Sequence, residues 1–368
     1  MLSRPLTRRS WTAVGIAAAA GTAAILASTT GVQQWLFDRG AEKLTATDNA
    51  ALLRDDAMRV LVCGTSAPLP SKGRAKACIA VLAGGKFYVV DSGPESVENL
   101  MLSGIPMSEI GGVMLTHFHS DHIGDLGELQ LQSWAGGRSQ PLPVYGGPGI
   151  EQVVNGFNQA YALDQGYRTE HHGESVMPSA AWGMEARPVV LDGTPTTAKD
   201  RTRVFFDDGS LRITAIEVNH APIDPAYAYR FDYKGRSVVV SGDYKLHEPL
   251  ARAASGADIL FSEALSRSMV TSLEVAANKA ERPGTAAIMH DIQDYHVSPE
   301  EAAGLANRAG VRELVYYHLS PAPDNALMRR LFAQGVDPAR PDHWSIAEDG
   351  DLYTLPLGST EVQFGRID

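Results

Sequence analysis

Thr116-His-Phe-His-Ser-Asp-His122 places three imidazoles and a carboxylate within six residues, directly after the apolar run Gly112-Val-Met-Leu115. A short apolar run of this kind reads as a buried strand, so the polar cluster falls where the chain leaves the core. There His117 and His119 can point to one side while Asp121 and His122 swing round the following turn. Neutral imidazole and carboxylate suit zinc, at roughly 2.0 to 2.2 Å. A surface loop that happened to be rich in histidine would need no buried strand behind it. The segment therefore calls for a fold that carries further donors to the end of this strand.

The rest of the chain supplies strands in two groups. Arg59-Val-Leu-Val-Cys63, Ala77-Cys-Ile-Ala-Val-Leu82 and Lys86-Phe-Tyr-Val-Val90 are separated by Gly and Pro clusters, as hairpin connections require. A helix is predicted over Glu95 to Leu102, a second over Asp125 to Trp134, and a short strand over Pro143 to Tyr145. Residues 149 to 206 read as a helical insertion, poor in β-branched runs. Strand signals resume over Leu211–Val218, Ala226–Tyr233, Ser237–Ser241, Ile259–Ser262 and Leu314–Tyr317, with helices over 298–309 and 324–333. Two strand-rich halves with helices before and after predict an α+β fold, a four-layer αββα sandwich.

Residues 1–37 are expected to lie outside that domain. Arg4, Arg8 and Arg9 precede an uncharged stretch from Ser10 to Phe37, the layout of a signal peptide. Its most apolar part, Ala13 to Ala27, is shorter than the ~20 residues of a stable membrane span, which favours a cleaved signal over an N-terminal anchor. Thr7-Arg8-Arg9-Ser10-Trp11 also resembles a twin-arginine export signal. The expected localisation is periplasmic or extracellular. Residues 38–57 read as a linker and 58–368 as the folded domain.

The chain has 32 basic and 43 acidic residues, of which residues 1–40 hold four and one, so the remainder carries a formal charge of −14. Affinity for a polyphosphate backbone comes from clustered Lys and Arg, so nucleic acid is disfavoured as the main partner. A membrane tether through the N-terminus and a homodimer both remain open. The two cysteines, Cys63 and Cys78, cannot build a Cys-based zinc site. They are expected to be buried free thiols, with a bridge between neighbouring strands as the alternative.

The His-x-His-x-Asp-His spacing after a buried strand resembles the signature of the metallo-β-lactamase superfamily. Four further segments match that family's motifs in order: Val90-Asp91-Ser92-Gly93, Val218-Asn-His220, Ser241-Gly-Asp243 and Tyr317-His318. The resemblance covers roughly residues 58 to 320. It implies that Asp91 braces the metal loop from behind and that two zinc ions are bound, with manganese or iron(II) as substitutes. His117, His119 and His220 would hold one ion, Asp121, His122 and His318 the other, and Asp243 would bridge them. A hydroxide shared by the ions would then be the nucleophile.

Within the superfamily the chain looks most like the ribonuclease Z and arylsulfatase-like branch. His220-Ala-Pro-Ile-Asp-Pro-Ala-Tyr-Ala-Tyr-Arg230, Ser262-Glu263-Ala264 and Tyr295-His296-Val-Ser-Pro-Glu-Glu-Ala-Ala303 carry that likeness. It implies catalytic roles for Glu263 and His296 beside Asp121, with His296 protonating the leaving oxygen of a phosphodiester or sulfate ester. The plainer readings are a helix-start histidine beside a Ser298 cap and a strand-end carboxylate. His171 and His172 at most line the cleft, His247 and His343 read as surface residues, and His290 carries no spacing argument.

One departure narrows the substrate. Transfer-RNA processing enzymes of the branch carry a basic arm, whereas residues 151–206 hold seven acidic and five basic residues. The insertion is therefore expected to shape a pocket for a small to medium ester. A β-lactam or lactone hydrolase of the same fold is the rival reading. A non-catalytic binding member would have lost ligands, and every expected ligand is present.

Overall fold

The computed structural model describes residues 30–46, 49–191 and 201–367. They fall into two compact units, one ending at Asp48 and one running from Asn49 onward. In the first, Thr30–Ala46 form helix α1, which exposes Trp35, Leu36 and Phe37 and lays the Arg39 guanidinium over the Trp35 ring at 4.8 Å. The expected export segment lies mostly outside the described residues. Its last part, Thr30 to Phe37, belongs to α1, and so does the first half of the stretch read as a linker. Among the described residues no helix is long and apolar enough to cross a membrane.

The second unit is built on two mixed sheets. The first takes strands β1 (Ala57–Gly64), β2 (Cys78–Ala83), β3 (Lys86–Val90), β4 (Ile110–Met114), β5 (Leu142–Gly146) and β6 (Met184–Pro188), with β14 (Asp351–Pro356) and β15 (Gln363–Arg366) added beyond β1. The second runs β13-β12-β11-β10-β9-β8-β7, where β7 is Thr202–Asp207, β8 Leu211–Glu217, β9 Tyr227–Tyr233, β10 Arg236–Val240, β11 Ile259–Leu265, β12 Glu313–Ser320 and β13 Trp344–Ile346.

Alternation along each strand sorts side chains between two faces. In β1, Val60 and Val62 enter the core between the sheets with Ile79, Val90, Met114, Phe231, Val240, Phe261 and Tyr317. Leu61 and Cys63 point the other way, toward helices α2 (Ser96–Leu102), α4 (Leu126–Ala135) and α5 (Ile150–His172). On the far side, Val239, Leu260, Leu314 and Tyr316 pack against α6 (Glu248–Ala253) and α9 (Pro299–Ala309). The outcome is the expected αββα sandwich. A one-turn helix α3 (Ser120–Ile123) sits at the metal-ligand segment, α7 (Arg267–Lys279) and α8 (Pro283–Asp291) follow β11, and α10 (Ala326–Phe332) and α11 (Val336–Ala339) follow β12.

Three expectations need correction. The insertion is not wholly helical: α5 is followed by β6 and β7, which extend one edge of each sheet, while residues 192–200 lie outside the described residues. Cys63 and Cys78 are not free thiols but form a disulfide, with Cα atoms 5.0 Å apart. The reason is register: Val62 pairs with Ile79, which brings Cys63 opposite Cys78 just before the irregularity at Gly64, and both side chains lie on the same outer face. Finally, α7, α8 and β13–β15 form where no element was expected.

The sheets are stitched together where the parallel strands end. Tyr227 N donates to Thr116 O at 2.9 Å, the Tyr229 hydroxyl donates to Leu115 O at 2.8 Å, and Leu319 N donates to Thr65 O at 2.8 Å. Buried backbone groups must find partners, and here they do so across the sandwich. This edge is consequently a rigid platform for the segments after β3, β4, β10, β11 and β12.

Candidate metal centre

Every residue of the expected ligand set sits on that platform. Asp91 follows β3 in a left-handed conformation, φ 60°, which aims its carboxylate back under the ligand segment. One oxygen accepts from Thr116 N at 2.8 Å; the other accepts from the Thr116 hydroxyl and pairs with His122 Nδ1, both at 2.8 Å. His122 is thereby held with Nε2 free for a ligand. Gly93 lets the segment close, since a Cβ there would lie 2.1 Å from Asp121 O. Gly242, at φ 59°, turns β10 so that Asp243 faces inward, and a Cβ there would meet Tyr227 O at 2.7 Å.

Three overlapping donor groups result, each close enough to share an ion: His117, His119, His220 and Asp243; Asp121, His122 and His318; and Asp243, Glu263, His296 and His318. Asp243 stands among them, with its carboxylate 3.3 Å from His318 Nδ1, 3.5 Å from His122 Nε2, 3.8 Å from His220 Nε2 and 3.9 Å from His117 Nε2. His318 Nε2 lies 3.1 Å from Asp121 Oδ2. His220 is oriented by a bond from Nδ1 to Tyr295 O at 2.9 Å, so its Nε2 also points inward.

The geometry fits a cation. His220 Nε2, Asp243 Oδ1 and His318 Nδ1 are buried yet make no hydrogen bond, and native proteins rarely leave such atoms unpartnered. Burial pushes His117 well below the usual histidine range and lowers His119 and His220, which keeps these rings in the neutral, metal-binding form. Despite burial, His122 and His318 hold the Asp121 carboxyl down at about 2. Burial likewise fails to raise Asp243, which His318 and His122 keep well below the carboxylate range. Against its own burial, His318 is raised to about 10 by Asp243 and Asp121. Carboxylates that remain charged beside crowded imidazoles form a compact site for divalent ions.

Beside this cluster, His296 Nδ1 lies 2.9 and 3.0 Å from the two oxygens of Glu263, whose side chain is fully buried. Glu263 also accepts from Tyr244 N at 2.9 Å. The Glu263 charge and hydrogen bond raise the His296 pKa against burial, and His296 in turn lowers that of Glu263. Ser298 does cap α9, in a capping box with Glu301, yet this leaves His296 turned inward. Its Nε2 remains available to a group in the cleft.

The cleft itself is lined by His119, Asp121, Asp243 and His296 together with Pro68, Leu69, Ile288, Met289, Ile292 and Tyr295. Of these last residues the sequence marks Tyr295 alone, through the motif it shares with His296. The Ile288, Met289, Ile292 spacing is a helical apolar pattern that could have revealed α8, whereas nothing local marks Leu69. On the other side of the ligand turn, Phe118 and Ile123 join Val153 and Phe157 of α5 around a hollow of about 520 Å³. The remaining histidines stay outside: His171, His172, His290 and His343 are exposed and His247 is half-buried.

A buried, preorganised set of oxygen and imidazole donors at the strand ends of an αββα sandwich defines a metal-dependent hydrolase. Residues 87–319 match the β-lactamase superfamily domain. A protein named ribonuclease Z from Mycobacterium bovis (strain BCG / Pasteur 1173P2) is 34% identical over 269 residues, which span 72% of this chain and 87% of that protein. The metallo-β-lactamase fold protein YhfI from Bacillus subtilis shares the fold at a TM-score of 0.56 and 22% identity, over 81% of this chain and all of that one. Human tRNase Z, short form, does so at 0.57 and 20%, over 82% and 100%. The chain belongs to the β-lactamase superfamily, in its ribonuclease Z-like branch.

Proposed function

We propose that this protein is an exported, dinuclear zinc-dependent phosphodiesterase. The observation that carries the reading is the His296–Glu263 pair, 2.9 Å apart beside the ligand cluster. A lactam or lactone hydrolase needs no acid at that place, whereas a phosphodiester with an alkoxide leaving group does. Relatives named ribonuclease Z point to the same bond type. His117, His119 and His220 with Asp243 would hold one ion, and Asp121, His122 and His318 with Asp243 the other. Bound there, the ions would activate a water and offset charge on the ester oxygens.

The chain's own residues supply the rest. As water's oxygen bonds to phosphorus, the bond to the departing oxygen breaks. That oxygen keeps the electron pair and takes the proton of His296, and the proton that water releases restores His296 through solvent. Glu263 orients the ring and favours its charged form. Asp91 keeps the ligand turn in place.

The formal charge of −14 outside residues 1–40 favours a small or medium diester over a long polynucleotide. Export finds support in the disulfide, since such bonds persist in oxidising compartments. A panel of a bis-aryl phosphodiester, an aryl sulfate and a β-lactam tests the reading. The zinc-loaded protein should turn over the phosphodiester fastest; a preference for the sulfate or the lactam would replace it with one of the rival hydrolases.

A further inference from the structure

The cleft that holds His296 has apolar walls. Its volume is about 300 Å³, and its lining joins a polar catalytic edge, at His119, Ser120, Asp121, Asp243, His296 and Ser320, to an apolar wall of Leu69, Ile288, Met289 and Ile292 with Tyr295. No Lys or Arg is among the lining residues. Below the surface the wall is continuous with a packed cluster of Leu265, Val270 and Met289, against which Leu69 and Ile292 rest. At the rim, Ile288 is 58% exposed. A solvated rim isoleucine beside a preformed apolar wall costs nothing to fold and offers contact to whatever enters.

We propose that this cleft binds the leaving group of the substrate, and that the leaving group is an apolar alcohol, aryl or alkyl, rather than a nucleoside. The inference rests on the phosphodiesterase reading and adds the class of ester. Placement argues for the leaving side: the group that His296 protonates must lie within hydrogen-bond reach of its ring, and the surfaces reached from there are Tyr295, which adjoins His296, and the side chains of α8 and Leu69. Chemistry argues for the class. A nucleoside brings a sugar and base edges that need polar partners, and leaving them unpaired against Ile288, Ile292 and Leu69 is unfavourable. An aryl or alkyl group loses nothing there. The cleft's volume admits a substituted ring.

The test compares three diesters on the zinc-loaded full chain: methyl phenyl phosphate, methyl para-butylphenyl phosphate and a dinucleoside monophosphate. The two phenols have near-equal acidity, so their ratio reports binding of the butyl group and not the chemistry of departure. The para-butylphenyl ester should have a kcat/KM at least about tenfold above the phenyl ester, in line with the discrimination apolar pockets reach for added methylenes, and the dinucleoside should be the poorest. Ile288→Lys, at an exposed position, should collapse that ratio towards one, and Leu69→Ser should lower it. Calorimetry with para-butylphenol gives a readout separate from turnover: binding should weaken at least about tenfold in Ile288→Lys and stay unchanged in Val153→Lys, which alters the hollow on the other side of the ligand turn. A preference for the dinucleoside, a ratio near one in the unmodified protein, or sensitivity at Val153 instead of Ile288 would overturn the proposal while leaving the phosphodiesterase reading intact. Hydrolysis of none of the three by zinc-loaded protein would overturn both.

Discussion

His296→Asn separates general acid catalysis from simple packing. The ring of His296 is 8% exposed and its partner Glu263 is fully buried. Truncation to Ala would therefore strand a buried carboxylate, with Tyr244 N as its remaining close donor, at a cost of about 3 to 5 kcal/mol of stability. Asparagine avoids this, because its amide nitrogen takes the place of Nδ1 and can still donate to Glu263, while it is no acid toward a leaving oxygen. General acids contribute about 10² to 10⁴-fold, or about 2.7 to 5.5 kcal/mol of barrier. The kcat of His296→Asn should fall within that range for a diester with an alkyl leaving group and by less than about tenfold for a nitrophenyl diester. Glu263→Gln should show the same ordering more weakly. Single-turnover rates at matched zinc content would check both. Equal losses on the two esters would mean that His296 only packs against Glu263, and the acid assignment would fall.

Other consequences are more local. Asp91→Asn removes the charge that orients His122 and Thr116, so zinc affinity in a chelator competition should drop by about 10 to 100-fold, while unbraced turns elsewhere stay folded by circular dichroism. Replacing Cys63 and Cys78 by Ala opens a loop with a sequence separation of 15 and should cost about 3 kcal/mol in denaturant unfolding; an unchanged midpoint would show that the bond adds nothing to stability. Residues 1–37 fused to a reporter should carry it out of the cytoplasm, and Arg8→Lys with Arg9→Lys should block that if the twin-arginine route is used. A fusion that stays in the cytoplasm would refute export.

The sequence was most legible where chemistry and burial coincide. Gly112-Val-Met-Leu115 could only be a buried strand, so the imidazoles after it had to meet at a strand end. Asp243 and His318, far apart in the chain, could be placed through the resemblance of Ser241-Gly-Asp243 and Tyr317-His318 to the superfamily's ordered motifs. The Cys63–Cys78 pairing was hidden because it depends on the register of β1 against β2, with Val62 opposite Ile79, and a one-residue shift decides which face a sulfur takes. β6 and β7 escaped notice for a related reason: they are edge strands with exposed residues such as Glu185 and Arg203, and their pairing is set by the sheets they join. The cleft wall was invisible because it joins Leu69 to Ile288 and Ile292, residues that only tertiary folding brings together.

The account stands or falls on two divalent ions held around Asp243. Elemental analysis by mass spectrometry of the purified full chain should find close to two zinc ions per molecule, or their manganese or iron replacements, and Asp243→Ala should lose at least one, because that carboxylate lies between His117 and His220 on one side and His122 and His318 on the other. Two ions retained as tightly in Asp243→Ala, or a fully active protein that holds a single ion, would contradict it.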